Sequence, residues 1–270
     1  MERQPSSQMF STAADVEHWK AIYDRQDFLG DCYRQRMNQT LSWLDMAGMP
    51  GDAIVLDAGC GAGIVPQRIV ERGYRVLGMD ISRAMIEEAH SVHDIELRPM
   101  SRLVQGDVEC LPFAESSFSA VVCLGVVTYL RSAERALSEL ARVLEPKGTL
   151  ILSVVNKAHL MHYLDLPEFV KLRLRKALGV NVPGARPTVR SYSVSEIMKS
   201  LRRHGFTVED FAAVPSGLAT FSGLAIPPVR LNARVTGLVA RTRNIPLIGS
   251  LGGMCMFRAR NGPGWGSECA

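Results

Sequence analysis

One short stretch constrains the fold more than any other: Val55 to Gly63 joins a buried strand to a helix through a glycine loop. The apolar run from Ile54 to Leu56 is typical of a strand in a parallel sheet. Three glycines then allow a tight turn and leave bare backbone that a ligand can approach closely. Helical spacing begins at Ile64, so the loop is predicted to end at a helix N-terminus with free N–H groups.

A second apolar run, from Tyr74 to Met79, ends in Asp80. A carboxylate at the tip of a second strand can accept hydrogen bonds from both hydroxyl groups of a ribose. The glycine loop and this acid together predict a site for a nucleoside-containing cofactor.

The glycine spacing distinguishes between such cofactors. A dinucleotide-binding loop reads G-x-G-x-x-G, but the sixth position counted from Gly59 is Ile64, and the glycine falls at Gly63. Asp57, just before the loop, would repel a pyrophosphate and suits a cofactor with a cationic amino group. These residues resemble the D-x-G-x-G-x-G motif of the class I S-adenosylmethionine-dependent methyltransferases.

Further segments resemble this family in chain order. Residues 105–113 are similar to its third motif, in which Asp107 would accept from the adenine amino group while the Val108 backbone meets the ring. Residues 118–127 and 136–155 are similar to its fourth strand and to the helix, turn and fifth strand that follow. The resemblance covers about residues 40 to 211 and implies S-adenosylmethionine as the methyl donor, contacted by Asp57, Gly59, Gly61, Asp80, Ile81, Asp107, Val108 and Leu124.

The alternation of strands and helices, with 47% hydrophobic residues in 270, predicts a single α/β domain. The resemblance implies a doubly wound, Rossmann-like sheet of seven mostly parallel strands, the last of them antiparallel. The apolar patterns predict the fifth strand at Thr149–Val155 and the sixth at Phe206–Phe211. Ser82 is placed to cap the helix that follows Asp80, and Ser193 with Glu196 predicts a capping box at the start of a later helix. The predicted segments are an N-terminal helical lid at 1–47 with a loose start at 1–14, a cofactor-binding core at 48–156, a lid over the acceptor at 157–190, the rest of the sheet at 191–260 with an insertion at 217–250, and a loose tail at 261–270.

The N-terminal segment shows helical spacing from Val16 to Ala47 and is rich in aromatic residues. One interpretation is that these residues pack the segment onto the sheet. The other is that Tyr23, Tyr33 and Arg36 close over the cofactor, with Arg36 facing the methionine carboxylate as in relatives that have such a lid. A solvated Arg36 is the alternative for that residue.

The loop after the fourth strand indicates which atom is methylated. Relatives that methylate amide or nucleobase nitrogens often carry Asn- or Asp-Pro-Pro-aromatic there, whereas this chain reads Leu124 to Leu130 without proline. The departure favours an O- or C-methyltransferase that acts mainly by alignment and exclusion of water. Tyr129, His159 and His162 are the candidates for a catalytic role on the acceptor, and packing in the lid is the alternative for each.

Composition and charge limit the kinds of partner that the chain is expected to bind. The net charge of +4 is mild, and a nucleic-acid-binding module is not recognised, which argues against nucleic acid. Basic residues among apolar ones at 171–176 and 230–241 leave open a lipid-like or aromatic acid acceptor, peripheral membrane contact, or an ordinary amphipathic helix. No apolar run reaches the roughly 18–20 residues of a membrane span. Six cysteines without metal-ligand spacing favour reduced thiols, a cytoplasmic location and no metal.

The sequence thus predicts a methyltransferase that acts on an O or C atom of a small-molecule or lipid-like acceptor. Three alternatives stay open at this point. They are an RNA or protein methyltransferase, a non-catalytic S-adenosylmethionine-binding protein, and a nicotinamide-dependent reductase, against which the glycine spacing argues.

Overall fold

The computed structural model describes residues 10–92, 100–130, 132–157, 189–214 and 253–262, and of Phe28 only the backbone. The described chain alternates between strands and helices. The helices are α1 (Ala13–Ala21), α2 (Phe28–Met46), α3 (Ile64–Val70), α4 (Arg83–Val92), α5 (Ala133–Val143) and α6 (Val194–Arg203). The strands are β1 (Ile54–Ala58), β2 (Arg75–Asp80), β3 (Ser101–Gln105), β4 (Phe118–Leu124), β5 (Leu144–Val155), β6 (Phe206–Val214) and β7 (Met254–Asn261).

The strands form one seven-stranded sheet in the order β3-β2-β1-β4-β5-β7-β6. The pairs from β3 to β5 are parallel, whereas β7 runs antiparallel to both β5 and β6. Val55 lies opposite Val76 on one side and Ala120 on the other, which makes β1 the centre of the parallel part. The predicted fold, with its antiparallel last strand, is confirmed.

Neighbouring residues of each strand point to opposite sides of the sheet, and helices cover the apolar residues on both faces. Leu56 joins the core under α5 and α6, whereas Val55 joins the core under α2 and α3. Helix residues that complete the first core are Leu137, Leu140, Ile197 and Leu201. Those that complete the second are Trp43, Leu44, Val65 and Ile69. This two-sided burial explains the nearly uninterrupted apolar character of β1 and β4.

Two predicted strand boundaries are wrong for reasons of tertiary structure, and the N-terminal helical segment is interrupted. The fifth strand begins at Leu144 rather than Thr149, because Leu144 already pairs with Phe118 before the register shifts. The sixth extends past Phe211 to Val214, because Val214 pairs with the first residue of β7. The segment from 16 to 47 is two helices rather than one continuous pattern, and Asp27 caps the second through the Gly30 N–H.

The predicted loose N-terminus is wrong for residues 10–14. Thr12 caps α1 in a capping box, in which its hydroxyl accepts from the Asp15 N–H and the Asp15 carboxylate accepts from the Thr12 N–H. The capping box predicted for Ser193 and Glu196 is confirmed. Ser82 caps α4 as predicted, since its Oγ accepts from the Met85 N–H at 3.3 Å.

Most of the predicted acceptor lid at 157–190, the insertion at 217–250 and the tail beyond Gly262 lie outside the described residues. His159 and His162 lie there too. The division of the chain into these segments stays a prediction.

Candidate functional site

A cavity lies at the carboxyl ends of the parallel strands, reaching from β3 across β2, β1, β4 and β5 to β7. The chain winds from β1 outward to β3 on one side and from β4 outward to β5 on the other, so β1 and β4 flank the topological switch point. Open α/β sheets bind their ligands at this point. The predicted site residues within the described ranges all line the cavity: Tyr23, Arg36, Asp57, Gly59, Gly61, Asp80, Ile81, Asp107, Val108, Leu124 and Tyr129.

The glycine loop depends on backbone conformations that favour glycine. Gly59 has φ of 90° and Gly61 has φ of 54°. The Gly59 and Cys60 N–H groups both donate to the Met79 carbonyl oxygen, at 2.6 and 3.0 Å. A Cβ on Gly59 would lie 2.0 Å from Val126 Cγ2 in the loop after β4. Gly59 is therefore the point where the β1 loop and the β4 loop touch.

Asp80 is fixed by the loops on both sides of it. Its Oδ2 accepts from the Gly61 N–H at 2.9 Å, and its Oδ1 accepts from the Ser82 N–H at 2.9 Å. Burial raises the pKa of Asp80, although the N–H groups of Ser82, Gly61 and Ile81 lower it. Each carboxylate oxygen keeps acceptor capacity beyond these bonds, as recognition of a diol requires.

Arg36 and Asp57 bring opposite charges into the buried end of the cavity, where they are 5% and 2% exposed. Burial raises the pKa of Asp57 to about 7. The charge of Arg36 lowers this pKa, whereas the charge of Asp80 raises it further. Arg36 donates to the Tyr23 hydroxyl at 3.2 Å and lies 4.4 Å from the centre of the Tyr33 ring. Burial lowers the pKa of Arg36, but Tyr23, Tyr33 and Asp57 outweigh it and raise that pKa.

The Arg36 Nε atom is buried and has no hydrogen-bond partner within the described structure. Leaving a buried charged donor unpaired is costly, so such a group indicates that a ligand completes the site. An anionic group on the ligand would satisfy it.

Asp107 and Val108 lie just beyond β3, at the far end of the cavity. Asp107 Oδ1 accepts from the Glu109 N–H at 2.9 Å, which holds the turn after the strand. Val108 is buried beneath it. We call the part of the cavity at the ends of β3, β2 and β1, with Arg36 at its border, the charged half.

The opposite part, at the ends of β4, β5 and β7, we call the apolar half. Its lining residues in the described chain carry no charge: Leu124, Gly125, Val126, Thr128, Tyr129, Leu130, Val154, Val155 and Met254. The Thr128 hydroxyl donates to the Gly125 carbonyl oxygen at 2.6 Å and so serves the loop itself.

Some of the N-terminal aromatic residues pack onto the sheet, and others lie over the cavity. Trp43 packs onto the sheet, buried, with its Nε1 donating to Asp210 Oδ2 at 3.2 Å. A row of edge-to-face contacts instead roofs the cavity, from Tyr23 through Tyr33, Trp19 and Phe10 to Tyr129. We call this row the aromatic roof.

Phe10 is one of the lining residues that the sequence did not predict. Its ring meets Tyr129 at 4.9 Å with an interplanar angle of 83°, and its carbonyl oxygen accepts from Ser82 Oγ at 2.6 Å. It stands in a polar stretch without periodicity, so no local pattern could identify it. The capping box at Thr12 and Asp15, which starts α1 just after it, is the one available signal.

The described residues contain no group of three or more His, Cys, Asp or Glu side chains placed to hold a metal ion. In the same ranges, no helix is both long and apolar enough to cross a membrane. Among the described residues no cysteine is in a disulfide bond, and burial raises the pKa of Cys60 in the glycine loop well above its usual value.

The doubly wound sheet, the glycine loop after its first strand and the acid after its second define a Rossmann-like nucleoside-binding domain. Residues 56–152, from β1 to β5, match the family described as "Methyltransferase domain". Residues 56–152 thus carry a methyltransferase domain similar to those of the class I S-adenosylmethionine-dependent enzymes, as the resemblance implied.

Individual relatives agree with this assignment. The chain is 37% identical over 112 residues to malonyl-[acyl-carrier protein] O-methyltransferase from Erwinia pyrifoliae, covering 41% of each chain. It is 33% identical over 113 residues to the ubiquinone biosynthesis O-methyltransferase of Alkalilimnicola ehrlichii, covering 42% of this chain and 45% of that one. The chain thus spans less than half the length of these curated relatives.

Solved structures extend the likeness to the whole fold. Magnesium protoporphyrin IX methyltransferase from Synechocystis, solved with bound SAH, superimposes with a TM-score of 0.62. The match covers 92% of this chain and 94% of that chain at 20% identity. At this identity the likeness shows the fold and nothing finer.

Proposed function

We propose that this chain transfers a methyl group from S-adenosylmethionine to an O or C atom of a small-molecule or lipid-like acceptor. The observation that carries the proposal is the order of groups along the charged half: Arg36 with Asp57, then the glycine loop, then Asp80, then Asp107. S-adenosylmethionine has complementary groups in the same order, namely an amino acid, a sulfonium, a ribose and an adenine.

The residues fit this ligand group by group. The unpaired Arg36 Nε and the Asp57 carboxylate suit the carboxylate and ammonium of the amino acid. Asp80 suits the ribose diol, while Asp107 and the Val108 backbone suit adenine. The bare backbone at Gly59 and Gly61 lets the ligand lie close to the β1 loop.

Bound S-adenosylmethionine supplies an intrinsically electrophilic methyl group. Arg36 and Asp57 would hold its amino acid and Asp80 its ribose, on either side of the sulfonium, which would fix the direction in which the methyl group is presented. The aromatic roof covers part of the cavity and would limit the access of water to the methyl group. Holding two reactants in line in this way replaces a bimolecular encounter and supplies about 7–11 kcal/mol of the barrier lowering seen in well-oriented reactions.

Two further observations support the kind of acceptor. Residues 124–130 lack the proline tetrad typical of enzymes that methylate amide or nucleobase nitrogens. The relatives reported above are named O-methyltransferases. Tyr129 is the described candidate for contact with the acceptor, whereas the catalytic roles of His159 and His162 stay predictions.

Calorimetric titration with S-adenosylmethionine, S-adenosylhomocysteine and NADH in parallel tests the cofactor. We expect micromolar binding of the first two and none of NADH. Asp80→Asn should weaken S-adenosylhomocysteine binding about tenfold or more, because hydrogen bonds to a charged group contribute about 1.5–3 kcal/mol. Asp45→Asn is the matched control, since Asp45 pairs with Arg72 away from the cavity. Binding of NADH alone would contradict the proposal.

Transfer itself is tested with S-adenosylmethionine labelled in its methyl group and a cell extract. We expect label in the solvent-extractable fraction, resistant to protease and nuclease. Label that protease or nuclease removes would indicate a protein or RNA acceptor instead. Binding of the cofactor without labelling of any fraction would indicate a non-catalytic protein.

A further inference from the structure

We propose that the acceptor presents an uncharged aromatic ring to the apolar half, and that Phe10 and Tyr129 are the residues that select it. This inference rests on the proposed methyltransferase function and adds the chemical class of the acceptor. Its first support is the distribution of charge. The acids of the described lining lie at the ends of β1, β2 and β3, and Arg36 lies at the border, its Nη1 3.1 Å from where a Cβ of Gly125 would be.

The described lining of the apolar half carries no charged side chain of its own, and Arg36 at its border is assigned to the carboxylate of the cofactor, so an anionic acceptor finds no free partner among these residues. Burying a carboxylate without a partner is costly, and the nearby Asp57 and Asp80 add repulsion. An uncharged acceptor avoids both penalties. The sulfonium methyl group needs only an electron-rich atom on the acceptor and not a charged anchor.

The size of the apolar half suits a ring system. Neighbouring strands lie about 4.8 Å apart, so the edge from β4 through β5 to β7 is about 10 Å wide. That width accommodates one or two fused rings lying along the sheet edge.

The aromatic roof favours an aromatic ring over an aliphatic chain. Phe10 and Tyr129 meet edge to face at 4.9 Å, and Phe10 continues the row to Trp19 at 6.2 Å. Aromatic pairs in such geometry gain stability beyond their buried area, and a ligand ring can extend the row. The Ser82 hydroxyl donates to the Phe10 carbonyl oxygen and so holds the backbone that carries the ring.

The test measures probe binding by calorimetry to the full chain saturated with S-adenosylhomocysteine. The probes are 2-naphthol, 2-naphthoate and 2-decalol, which share one bicyclic skeleton and differ in charge or aromaticity. We expect 2-naphthol to bind at least about tenfold more tightly than either of the others. Phe10→Leu and Tyr129→Leu should each weaken 2-naphthol binding by about five- to tenfold, whereas Tyr129→Phe should retain it.

Phe211→Leu is the matched control, because Phe211 pairs with Phe257 at 5.3 Å outside the cavity. This variant should bind both S-adenosylhomocysteine and 2-naphthol as tightly as the unmodified protein does. Tighter binding of 2-naphthoate, equal binding of 2-decalol, no binding of any probe, or unchanged affinity in both Leu variants would each overturn the inference.

Failure of the proposed function is separately visible. S-adenosylhomocysteine would then not bind in the first place, and the inference would fall with it. If S-adenosylhomocysteine binds and the order of the probes is reversed, only the acceptor class is wrong.

Discussion

The two halves of the cavity are built in different ways. The charged half takes most of its groups from short segments that follow β1, β2 and β3, and much of its lining is backbone held by nearby hydrogen bonds. The apolar half depends on side chains that meet across the chain, since its Tyr129 contacts Phe10 of the aromatic roof. The comparison teaches that local geometry can build most of a cofactor site, whereas the shape of the apolar half depends on contacts between distant parts of the chain.

The largest expected effect comes from a substitution that makes the β1 loop collide with the β4 loop, at the boundary between the two halves. Gly59→Ala would place a Cβ 2.0 Å from Val126 Cγ2 on a backbone with φ of 90°. We expect a loss of S-adenosylhomocysteine affinity of about a hundredfold or more and a clear fall in melting temperature, because both strain and collision oppose the loop.

Gly73→Ala is the control for that variant, since Gly73 has φ of 88° but nothing within 4 Å of its Cβ position. It should lose stability by strain alone and keep the affinity. Val126→Ala in the Gly59→Ala background should restore part of the affinity. If the two glycine variants behaved alike, the collision between the loops would not matter.

The second largest effect on cofactor affinity is expected when Arg36 loses its charge. Arg36→Gln removes a buried guanidinium and leaves the ligand carboxylate without its partner, so we expect calorimetry to show affinity reduced about tenfold to a hundredfold. 2-Naphthol binding in the other half should change much less. Arg83→Gln, at an exposed ion pair with Glu87, is the control and should bind as the unmodified protein does.

Asp57 should make cofactor binding depend on pH. Burial raises its pKa to about 7, so the carboxyl group is increasingly neutral below pH 7 and loses its attraction for the ligand's ammonium group. Affinity for S-adenosylhomocysteine should therefore fall by up to about tenfold per pH unit as the pH drops below 7. In Asp57→Asn the affinity should be lower and nearly independent of pH between 5.5 and about 7.5.

The same raised pKa gives the stability of the unliganded protein the opposite dependence on pH. Because folding raises the pKa of Asp57 from 3.8 to about 7, the folded state holds this proton more tightly than the unfolded state does. Its contribution to stability is greatest at acidic pH and is lost as the pH rises between these values. Melting curves of the parent and Asp57→Asn should diverge in favour of the variant towards pH 7; parallel curves would contradict the shift.

The smallest expected effect concerns the contact that fixes the roof. Ser82→Ala removes the hydrogen bond to the Phe10 carbonyl oxygen and the cap of α4, so S-adenosylhomocysteine should dissociate about two- to tenfold faster in stopped-flow fluorescence. Ser132→Ala removes the cap of α5 without touching the roof. Equal dissociation rates in the two variants would assign the effect to helix capping alone.

Local signals predicted the fold and the charged half well. The turn chemistry of Gly59 and Gly61 and the acid at Asp80 lie within segments whose geometry nearby residues determine. The capping box at Ser193 and Glu196 is likewise written in four consecutive residues. Boundaries failed where another strand decides pairing, as at Leu144 and Val214.

The sequence by itself determined the order of strands and helices, the glycine loop and the acids at the ends of β1, β2 and β3, because these depend on periodicity and on turns of a few residues. Only the tertiary structure decided that Arg36 is buried beside Asp57 and that Phe10 meets Tyr129. Those contacts join residues far apart in the chain, and packing of α1 and α2 over the sheet brings them together. The apolar half belongs to this second kind, since its shape exists only after the chain has folded.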